Sequence, residues 1–238
     1  MNGPAQLPFE FEHRSALSGE SFFVADSNRE AVQWIDRWPA WPVPVLAVHG
    51  SAGAGKSHLG AAFIEKTGAS VIETLAPEVW TKNVGGAWIL DGAMQFVSAT
   101  DEKALLHFYN AVIEVRGSLL LIDRDPPSHW PIELPDLRSR VAAVLAVEIL
   151  PPDDALLAGV LGKLLSDRQL RVSASVIDYI LPRMERSFVA AGELVEQLDR
   201  LALVEKREIT IPLARRVIDV VLGERIYSSA MRNGKRDH

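Results

Sequence analysis

The sequence predicts an α/β domain built around a parallel sheet, followed by a small all-helical domain. In the first 150 residues, short apolar runs typical of buried parallel strands alternate with segments of helical periodicity. A glycine-rich phosphate-loop pattern directly follows the first of these runs. Beyond Pro151–Pro152 every periodic segment is helical. We therefore expect an N-terminal arm over 1–20, an α/β domain over 21–150 and a helical domain over 151–238.

The elements of the α/β domain follow from apolar patterns and stop signals. Ser27 and Glu30 form a capping-box pattern that predicts the start of the first helix, and Pro39 predicts its end. A helix over about Asp101–Arg116, with Gly117 as its C-terminal cap, separates the third and fourth strands. Strands are predicted at five apolar runs bounded by turn residues: Val45–His49, Ala69–Glu73, Ala87–Asp91, Ser118–Asp123 and Ala146–Ile149.

The helical domain is predicted from apolar stripes at helical spacing. Three stripes, Leu156–Leu165, Val176–Leu181 and Leu194–Leu201, each define one helix. A fourth helix is expected to begin near Thr210, since Pro212 then falls in the first turn, where proline is tolerated.

Composition restricts the class of protein. The 238-residue chain contains no cysteine, which excludes disulfides, thiolate nucleophiles and cysteine-ligated metal sites. Its apolar stretches are far shorter than the roughly 18 residues of a membrane span, and its N-terminus lacks the pattern of a secretory signal. The formal net charge of −6 argues against a protein that works by gripping nucleic-acid phosphates. We expect a soluble intracellular protein without a membrane partner and without sequence-specific DNA binding.

Residues 50–57 carry the strongest functional signal. The sequence reads Gly50, Ser51, Ala52, Gly53, Ala54, Gly55, Lys56 and Ser57, and it lies between a predicted strand and a predicted helix. In this pattern glycines let backbone N–H groups turn toward phosphates, the lysine reaches the terminal phosphates, and the serine hydroxyl binds Mg²⁺. We therefore predict that the loop binds ATP or ADP with Mg²⁺; a glycine-rich turn without a ligand is the alternative.

Two predicted strands end in an aspartate that could hold the magnesium ion through water. In a phosphate-loop ATPase of the AAA+ kind a further central strand follows the magnesium-binding strand, and only Asp91 leaves such a strand. We therefore place Asp91 in the Walker B role at the metal and Asp123 at the nucleotide-contacting position called sensor 1; the opposite assignment stays open. The following residues are Gly92 and Arg124. The carboxylate that usually positions the attacking water is absent, so we expect weak hydrolysis by this chain alone.

Several segments resemble the DnaA/Hda family of AAA+ proteins, which act in bacterial chromosomal replication initiation. The phosphate loop continuing into His58-Leu59, the segment Leu134–Arg140 and the closing Ile209–Pro212 look like the AAA+ module of DnaA. The segment Gln6–Phe11 is similar to the sliding-clamp-binding motif of Hda-like regulators. The resemblance covers about residues 6–222 and includes neither a helicase-loading nor a DNA-binding domain. We therefore expect an Hda-like regulator in the bacterial cytoplasm.

The resemblance implies that the Ser139-Arg140 element supplies an arginine finger to a neighbouring subunit. Arg140 would stimulate ATP hydrolysis by DnaA in trans, because a guanidinium can stabilise the charge of the transition state. Arg138 is the next candidate for this role. The alternative is that both arginines are solvated surface charges of little consequence.

The resemblance also implies partners and a cofactor set. Gln6, Leu7 and Phe9 would dock on the DNA polymerase sliding clamp as an extended peptide, and packing of Phe9 against the protein's own core is the alternative. His58 joins the nucleotide-binding residues. A homo-oligomer stays open.

The chain departs from the family at the lid arginine called sensor 2. The stretch that normally holds it, after Arg186-Ser187, reads Phe188–Ala191. Arg183 and Arg186 are the candidate substitutes, and whether the lid distinguishes ATP from ADP stays open. Two other functions also stay open: a DnaA-like ATPase, and a nucleotide-gated adaptor or loader that acts on another partner.

Overall fold

The computed structural model describes residues 13–15, 21–77, 86–97 and 101–220. The chain divides into two compact units, and the boundary between their main segments lies between Pro151 and Pro152. This is the proline pair at which the sequence becomes entirely helical.

The first unit combines strands and helices in alternation. Its strands are β1 His13–Ser15, β2 Ser21–Phe23, β3 Val45–His49, β4 Ser70–Val71, β5 Ala87–Asp91, β6 Ser118–Asp123 and β7 Leu145–Glu148. Its helices with defined bounds are α1 Arg29–Asp36, α2 Lys56–Thr67, α3 Glu102–Glu114 and α4 Pro135–Ala142. Short 3-10 turns lie at Ala93–Phe96 and Pro127–His129.

Five strands form one parallel sheet in the order β4-β5-β6-β3-β7, which confirms the predicted α/β class. The register places His49 opposite Asp123 and Asp91 opposite Ile122. The central strands are buried on both faces, and this is why they read as unbroken apolar runs in the sequence. Because the strands are parallel, the carboxyl ends of β3, β5, β6 and β7 all lie at one edge.

Helices cover both faces of the sheet because successive strand residues point to opposite sides. On one face Leu119 and Leu121 pack with residues of α3 and α4, including Phe108 and Leu137. On the other face the alternating strand residues pack against α1 and α2. The strand residues are Leu46, Val48, Leu120 and Ile122, and the helix residues are Ile35, Leu59 and Phe63. The sheet is thus the middle of three layers.

The second unit is entirely helical where it is described, as predicted. Its helices are α5 Asp154–Asp167, α6 Ala174–Ile180, α7 Phe188–Glu205 and α8, residues 211–220. They share one apolar core that includes Leu157, Leu161, Val195, Leu198 and Leu213. No helix in the described part of the chain combines the length and the apolar character that a membrane span needs.

The predicted capping box at the start of α1 is wrong. The helix begins at Arg29, with Asn28 at the N-cap position. The Asn28 side-chain oxygen accepts the N–H of Ala25 at 2.9 Å. The Ser27 carbonyl accepts the N–H of Leu150 at 2.9 Å. The helix therefore begins one residue later than the pattern predicts, and its N-cap residue makes no side-chain cap hydrogen bond.

The predicted glycine cap of α3 is also wrong. The left-handed position at the helix end belongs to Arg116, with φ of 54°. The Gly117 N–H donates to the Val112 carbonyl at 2.9 Å, which closes the helix one residue later. Gly117 is needed for close approach: a Cβ there would overlap the Trp88 ring and lie 2.8 Å from the Gly86 carbonyl oxygen.

Residues 13–15, which the sequence places in an arm, form a strand. It pairs antiparallel with β2, and residue 13 lies opposite residue 23. No apolar alternation marks this hairpin in the sequence, so periodicity could not predict it.

We expect Gly117→Ala to lower the free energy of unfolding by about 1–3 kcal/mol, because the added methyl group overpacks a rigid site. Urea denaturation of the two proteins measures this difference. The matched control is Gly162→Ala in α5, where a Cβ meets nothing within 4 Å. This control should gain up to about 1 kcal/mol from helix propensity. Equal stability of Gly117→Ala and the wild type would contradict the close Trp88 contact.

Candidate functional site

The site lies at the carboxyl edge of the sheet, where residues 50–55 connect β3 to α2. Three glycines of this loop adopt positive φ: Gly50 at 149°, Gly53 at 74° and Gly55 at 102°. A Cβ at Gly50 would overlap the Ile149 carbonyl oxygen. Gly55 is the N-cap of α2. The glycine pattern is therefore a backbone requirement of the turn, and the loop leads directly into a helix N-terminus.

The other loop residues surround this backbone. Ala54 is buried, whereas Ser51 and Ala52 are exposed. The Lys56 Nζ donates to the Gly50 carbonyl at 2.7 Å and to the Ser51 carbonyl at 2.8 Å. The Lys56 side chain therefore folds back onto the backbone of the loop that precedes it.

Burial lowers the pKa of the Lys56 ammonium below its usual value. The nearby Asp91 carboxylate opposes this shift, and the like charge of Arg124 adds to it. Asp123 also opposes the shift, so two cations and two carboxylates lie close to the loop.

The Ser57 hydroxyl donates to the Asp91 carboxylate at 3.0 Å, across 34 residues of sequence. Both side chains are exposed. A hydroxyl and a carboxylate at this distance are oxygen ligands of the kind that Mg²⁺ accepts. No cluster of three histidine or acidic side chains suited to a metal occurs among the described residues. A magnesium ion at this pair would therefore complete its coordination with phosphate oxygens and water.

The Asp123 carboxylate has different partners. One oxygen accepts the N–H of Met94 at 2.6 Å, and the other accepts the N–H of Arg124 at 2.6 Å. Asp123 therefore joins the end of β6 to the turn that follows β5. The two aspartates are neighbours at the sheet edge, but the Ser57 hydroxyl bonds to Asp91.

Gly92, the residue after Asp91, has φ of 76° and begins the 3-10 turn. Its N–H donates to the Ile122 carbonyl at 2.9 Å. Because L side chains disfavour this conformation, the backbone geometry favours glycine at this position.

Two histidines border the loop. Burial lowers the pKa of His49 at the end of β3, while the carboxylate of Glu148, its register partner on β7, opposes the shift. His58 is exposed in the first turn of α2.

The two candidate arginines on α4 have different surroundings. Arg138 donates from Nε and Nη2 to the Ile132 carbonyl, at 2.9 and 2.6 Å. Arg140 is exposed in the last turn of α4, with its guanidinium carbon 5.9 Å from the centre of the Tyr109 ring. Within the described residues Arg140 makes no ion pair. Its donors therefore remain accessible to a group outside this chain.

Tyr109 is a contact of Arg140 that the sequence did not reveal. Burial raises the pKa of its hydroxyl, and the Arg140 charge opposes this shift. The residue is half-buried on α3 and reads as part of an apolar stripe. The spacing along α3 therefore gave no sign that its ring supports an arginine of another helix.

Comparison with known proteins adds two findings. Residues 158–218 match the family model described as the lid domain of Hda. The chain superposes on domain III of the Thermotoga maritima replication initiation protein DnaA with a TM-score of 0.70 and 16% identity, covering 83% of this chain and 93% of that chain. The chain thus has the fold of a DnaA AAA+ domain, and its lid resembles that of Hda.

Two further solved structures share the AAA+ fold. AMPPCP-bound DnaA from Aquifex aeolicus matches with a TM-score of 0.59 and 21% identity, over 77% of this chain and 64% of that chain. A RuvB variant from Thermotoga maritima matches with a TM-score of 0.68 and 13% identity, over 87% and 73%. The DnaA/Hda-like chain thus spans slightly less than two thirds of the longer DnaA chain.

The two arginines that could replace sensor 2 both contact other residues of the helical unit. Arg186 lies 3.0 Å from the Asp154 carboxylate. Arg183 donates to the Tyr179 carbonyl at 2.8 Å and lies 4.0 Å from the centre of the Tyr179 ring. Both side chains therefore have partners within the helical unit.

Gln6, Leu7 and Phe9, which the sequence predicts to bind the sliding clamp, lie outside the described residues. Their role remains a prediction.

We expect the two arginines of α4 to differ in their effect on stability. Arg138→Ala should lower the free energy of unfolding by about 1–2 kcal/mol, because it removes a charged donor pair from the Ile132 carbonyl. Arg140→Ala should change it by less than about 0.5 kcal/mol, as an exposed substitution does. Chemical denaturation of both variants measures these values, and the reverse order would contradict the assignment of Arg138 as the structural arginine.

Proposed function

We propose that this chain is an AAA+ nucleotide-binding regulator of chromosomal replication initiation. It binds ADP or ATP with Mg²⁺, docks on the DNA polymerase sliding clamp and stimulates ATP hydrolysis by DnaA in trans through Arg140. The observation that carries the proposal is the exposed Arg140 guanidinium, supported by the Tyr109 ring on a fold shared with DnaA.

Nucleotide binding is supported by the phosphate loop and its surroundings. Glycines at positive φ let N–H groups face a phosphate, and the N-terminus of α2 favours negative charge. Lys56 would exchange its two carbonyl acceptors for phosphate oxygens. Ser57 and Asp91 would hold the magnesium ion, with Asp123 beside them in the sensor 1 position.

Weak hydrolysis by this chain is supported by Gly92. An acidic side chain at this position would orient the attacking water, and a glycine cannot. This absence argues against a self-sufficient ATPase. The missing acidic residue is consistent with a protein whose bound nucleotide sets its conformation, while ATP hydrolysis occurs on a partner.

Action in trans is supported by the position of Arg140. A guanidinium supplied by a neighbour can stabilise the charge of phosphoryl transfer, and in GTPases such an arginine is worth about 10³–10⁵ in rate. Arg138 is already bonded to a carbonyl of its own chain. Arg140 retains its donors, so we assign it the finger role.

The choice of partners rests on the family likeness. The lid match to Hda and the DnaA-like fold support DnaA as the ATPase that receives Arg140. The sequence of residues 6–11 supports docking on the sliding clamp through Gln6, Leu7 and Phe9. Clamp docking would hold the finger on the DNA-loaded clamp, where DnaA would meet it.

We expect Lys56→Ala to weaken ADP binding at least about a hundredfold, because the diphosphate loses the point charge of the loop. This loss corresponds to about 2.8 kcal/mol, and isothermal titration calorimetry measures it. Lys66→Ala is the matched control: it removes the same charge from the same helix, at a lysine that donates to the Asp36 carbonyl instead. Unchanged ADP affinity in Lys56→Ala would refute the assignment of the phosphate loop.

We expect Arg140→Ala to abolish stimulation of DnaA while ADP binding and clamp binding stay at wild-type levels. Arg140→Lys should fail almost as completely, since an ammonium cannot reproduce the planar fork of the guanidinium. The measurement is ATP hydrolysis by DnaA in the presence of DNA-loaded clamp. Gln6→Ala combined with Phe9→Ala is the complementary variant, and it should lose clamp binding but keep the fold and ADP.

The outcomes separate the three candidate functions. Full stimulation by Arg140→Ala would refute the finger assignment. Steady ATP turnover by the isolated chain within the range of roughly 1–10³ s⁻¹ for typical enzymes would favour a DnaA-like ATPase. Clamp binding without any effect on DnaA would favour an adaptor. A melting temperature many degrees lower in the double arm variant would show that Phe9 belongs to the core.

A further inference from the structure

We propose that Glu102 is a positioning residue for the arginine finger: its carboxylate holds the chain at the start of α4 and so fixes where α4 presents Arg140. This inference rests on the proposed role of Arg140 and names a residue that acts through it.

Glu102 is the first residue of α3 and is only 5% exposed. Its Oε1 accepts the N–H of Glu133 at 2.9 Å, and its Oε2 accepts the N–H of Leu134 at 2.6 Å. These bonds span 31 and 32 residues of sequence. One carboxylate therefore binds the two residues that immediately precede α4.

The bonds satisfy groups that α4 cannot satisfy itself. The first N–H groups of a helix have no partner within the helix. Leu134 is the N-cap of α4, so its N–H and that of Glu133 before it lie ahead of the helix and have no partner within it. The carboxylate is suited to this end because it complements the positive end of the helix dipole.

Arg138 also holds this short segment. Its guanidinium donates to the Ile132 carbonyl through Nε and Nη2. Ile132 is only 4% exposed and belongs to the core that α3 and α4 share. Residues 132–134 are thus held by Glu102 of α3 and by Arg138 of α4.

Helix α3 contacts both ends of α4, the helix that carries Arg140. Glu102 binds its start, and Tyr109, two turns further along α3, lies under Arg140 in its last turn. The distance between these two positions is about 10 Å along the axis of α3. The position of Arg140 relative to α3 is therefore set at two points.

This support matters because α4 has only eight residues. Helices this short are not stable in isolation, so tertiary contacts determine where α4 lies. A catalytic group displaced by about 1 Å can lose about a hundredfold in rate. The carboxylate of Glu102 would therefore affect the chemistry on the partner without contacting it.

We expect Glu102→Gln to lower the stimulated kcat of the partner ATPase by about tenfold to a hundredfold. The amide keeps one acceptor oxygen but turns an N–H donor toward the other backbone N–H. The concentration of regulator that gives half-maximal stimulation and the ADP affinity should stay unchanged, since neither interaction uses the start of α4. Amide hydrogen exchange should become faster at residues 133–138.

Glu114→Gln is the matched control. It makes the same change of charge on the same helix, at an exposed residue of its last turn. Stimulation and exchange should match the wild type. A second test variant, Arg138→Ala, removes the other support of residues 132–134 and should lower kcat in the same way, so the inference stays testable if Glu102→Gln does not fold.

Binding measurements show whether Glu102 acts through the position of Arg140 or through the fold as a whole. Glu102→Gln should bind ADP and the DNA-loaded clamp as tightly as the wild type does, while the stimulated kcat falls. A loss of ADP affinity, or a loss of regulator affinity equal to the loss of kcat, would reveal a general structural defect and overturn the inference.

The failure of this inference is distinguishable from failure of the proposed function. If Arg140→Ala abolishes stimulation while Glu102→Gln and Arg138→Ala both stimulate as the wild type does, only the positioning role is overturned. If Arg140→Ala stimulates fully, the finger assignment is overturned and the positioning role with it.

Discussion

The parallel register of β5, β6 and β3 determines which side chains meet at the loop between β3 and α2. His49 lies level with Asp123 and Asp91 with Ile122, so three polar side chains follow the apolar strands at one edge. The loop then reverses into α2 and places Ser57 within 3.0 Å of Asp91, although β6 lies between their strands. Ligands of open α/β sheets bind outside the carboxyl ends of the strands. Here the register of the sheet alone brings the polar side chains together at that edge.

The sequence was most informative where one short segment contains the whole signal. The phosphate loop and the central strands were predicted because their glycines and apolar runs are local patterns. The start of α1 was not, because the N-cap position belongs to Asn28, whose side chain bonds to Ala25. Gly117 was assigned to a helix end when its actual constraint is the Trp88 ring. The pairing of Ser57 with Asp91 was reached only through topology, since spacing alone allowed either aspartate.

The two arginines of α4 show why the rest of the site was beyond prediction from sequence. Arg138 and Arg140 differ by two positions on one short helix, and their chemistry is identical. Their different surroundings come from the carbonyl of Ile132 and the ring of Tyr109, and Tyr109 belongs to another helix. The same holds for Glu102, whose bonds to residues 31 and 32 positions away leave no local signature. The role of a side chain whose partners are distant in sequence can be recognised only from the tertiary structure.

The left-handed backbone of Gly92 has a consequence for how such a protein can evolve. A point mutation to glutamate would place an acidic group beside Asp91, but in a conformation that costs an L-residue roughly 1–2 kcal/mol. Arg116, Gln169 and Lys206 already occupy left-handed positions in this chain, so the fold tolerates such residues. With Asp91 at the metal as proposed, a single mutation that supplies the missing carboxylate would therefore exchange stability for hydrolysis. A lineage could make that change only where the free energy of unfolding exceeds what the fold needs by at least this amount.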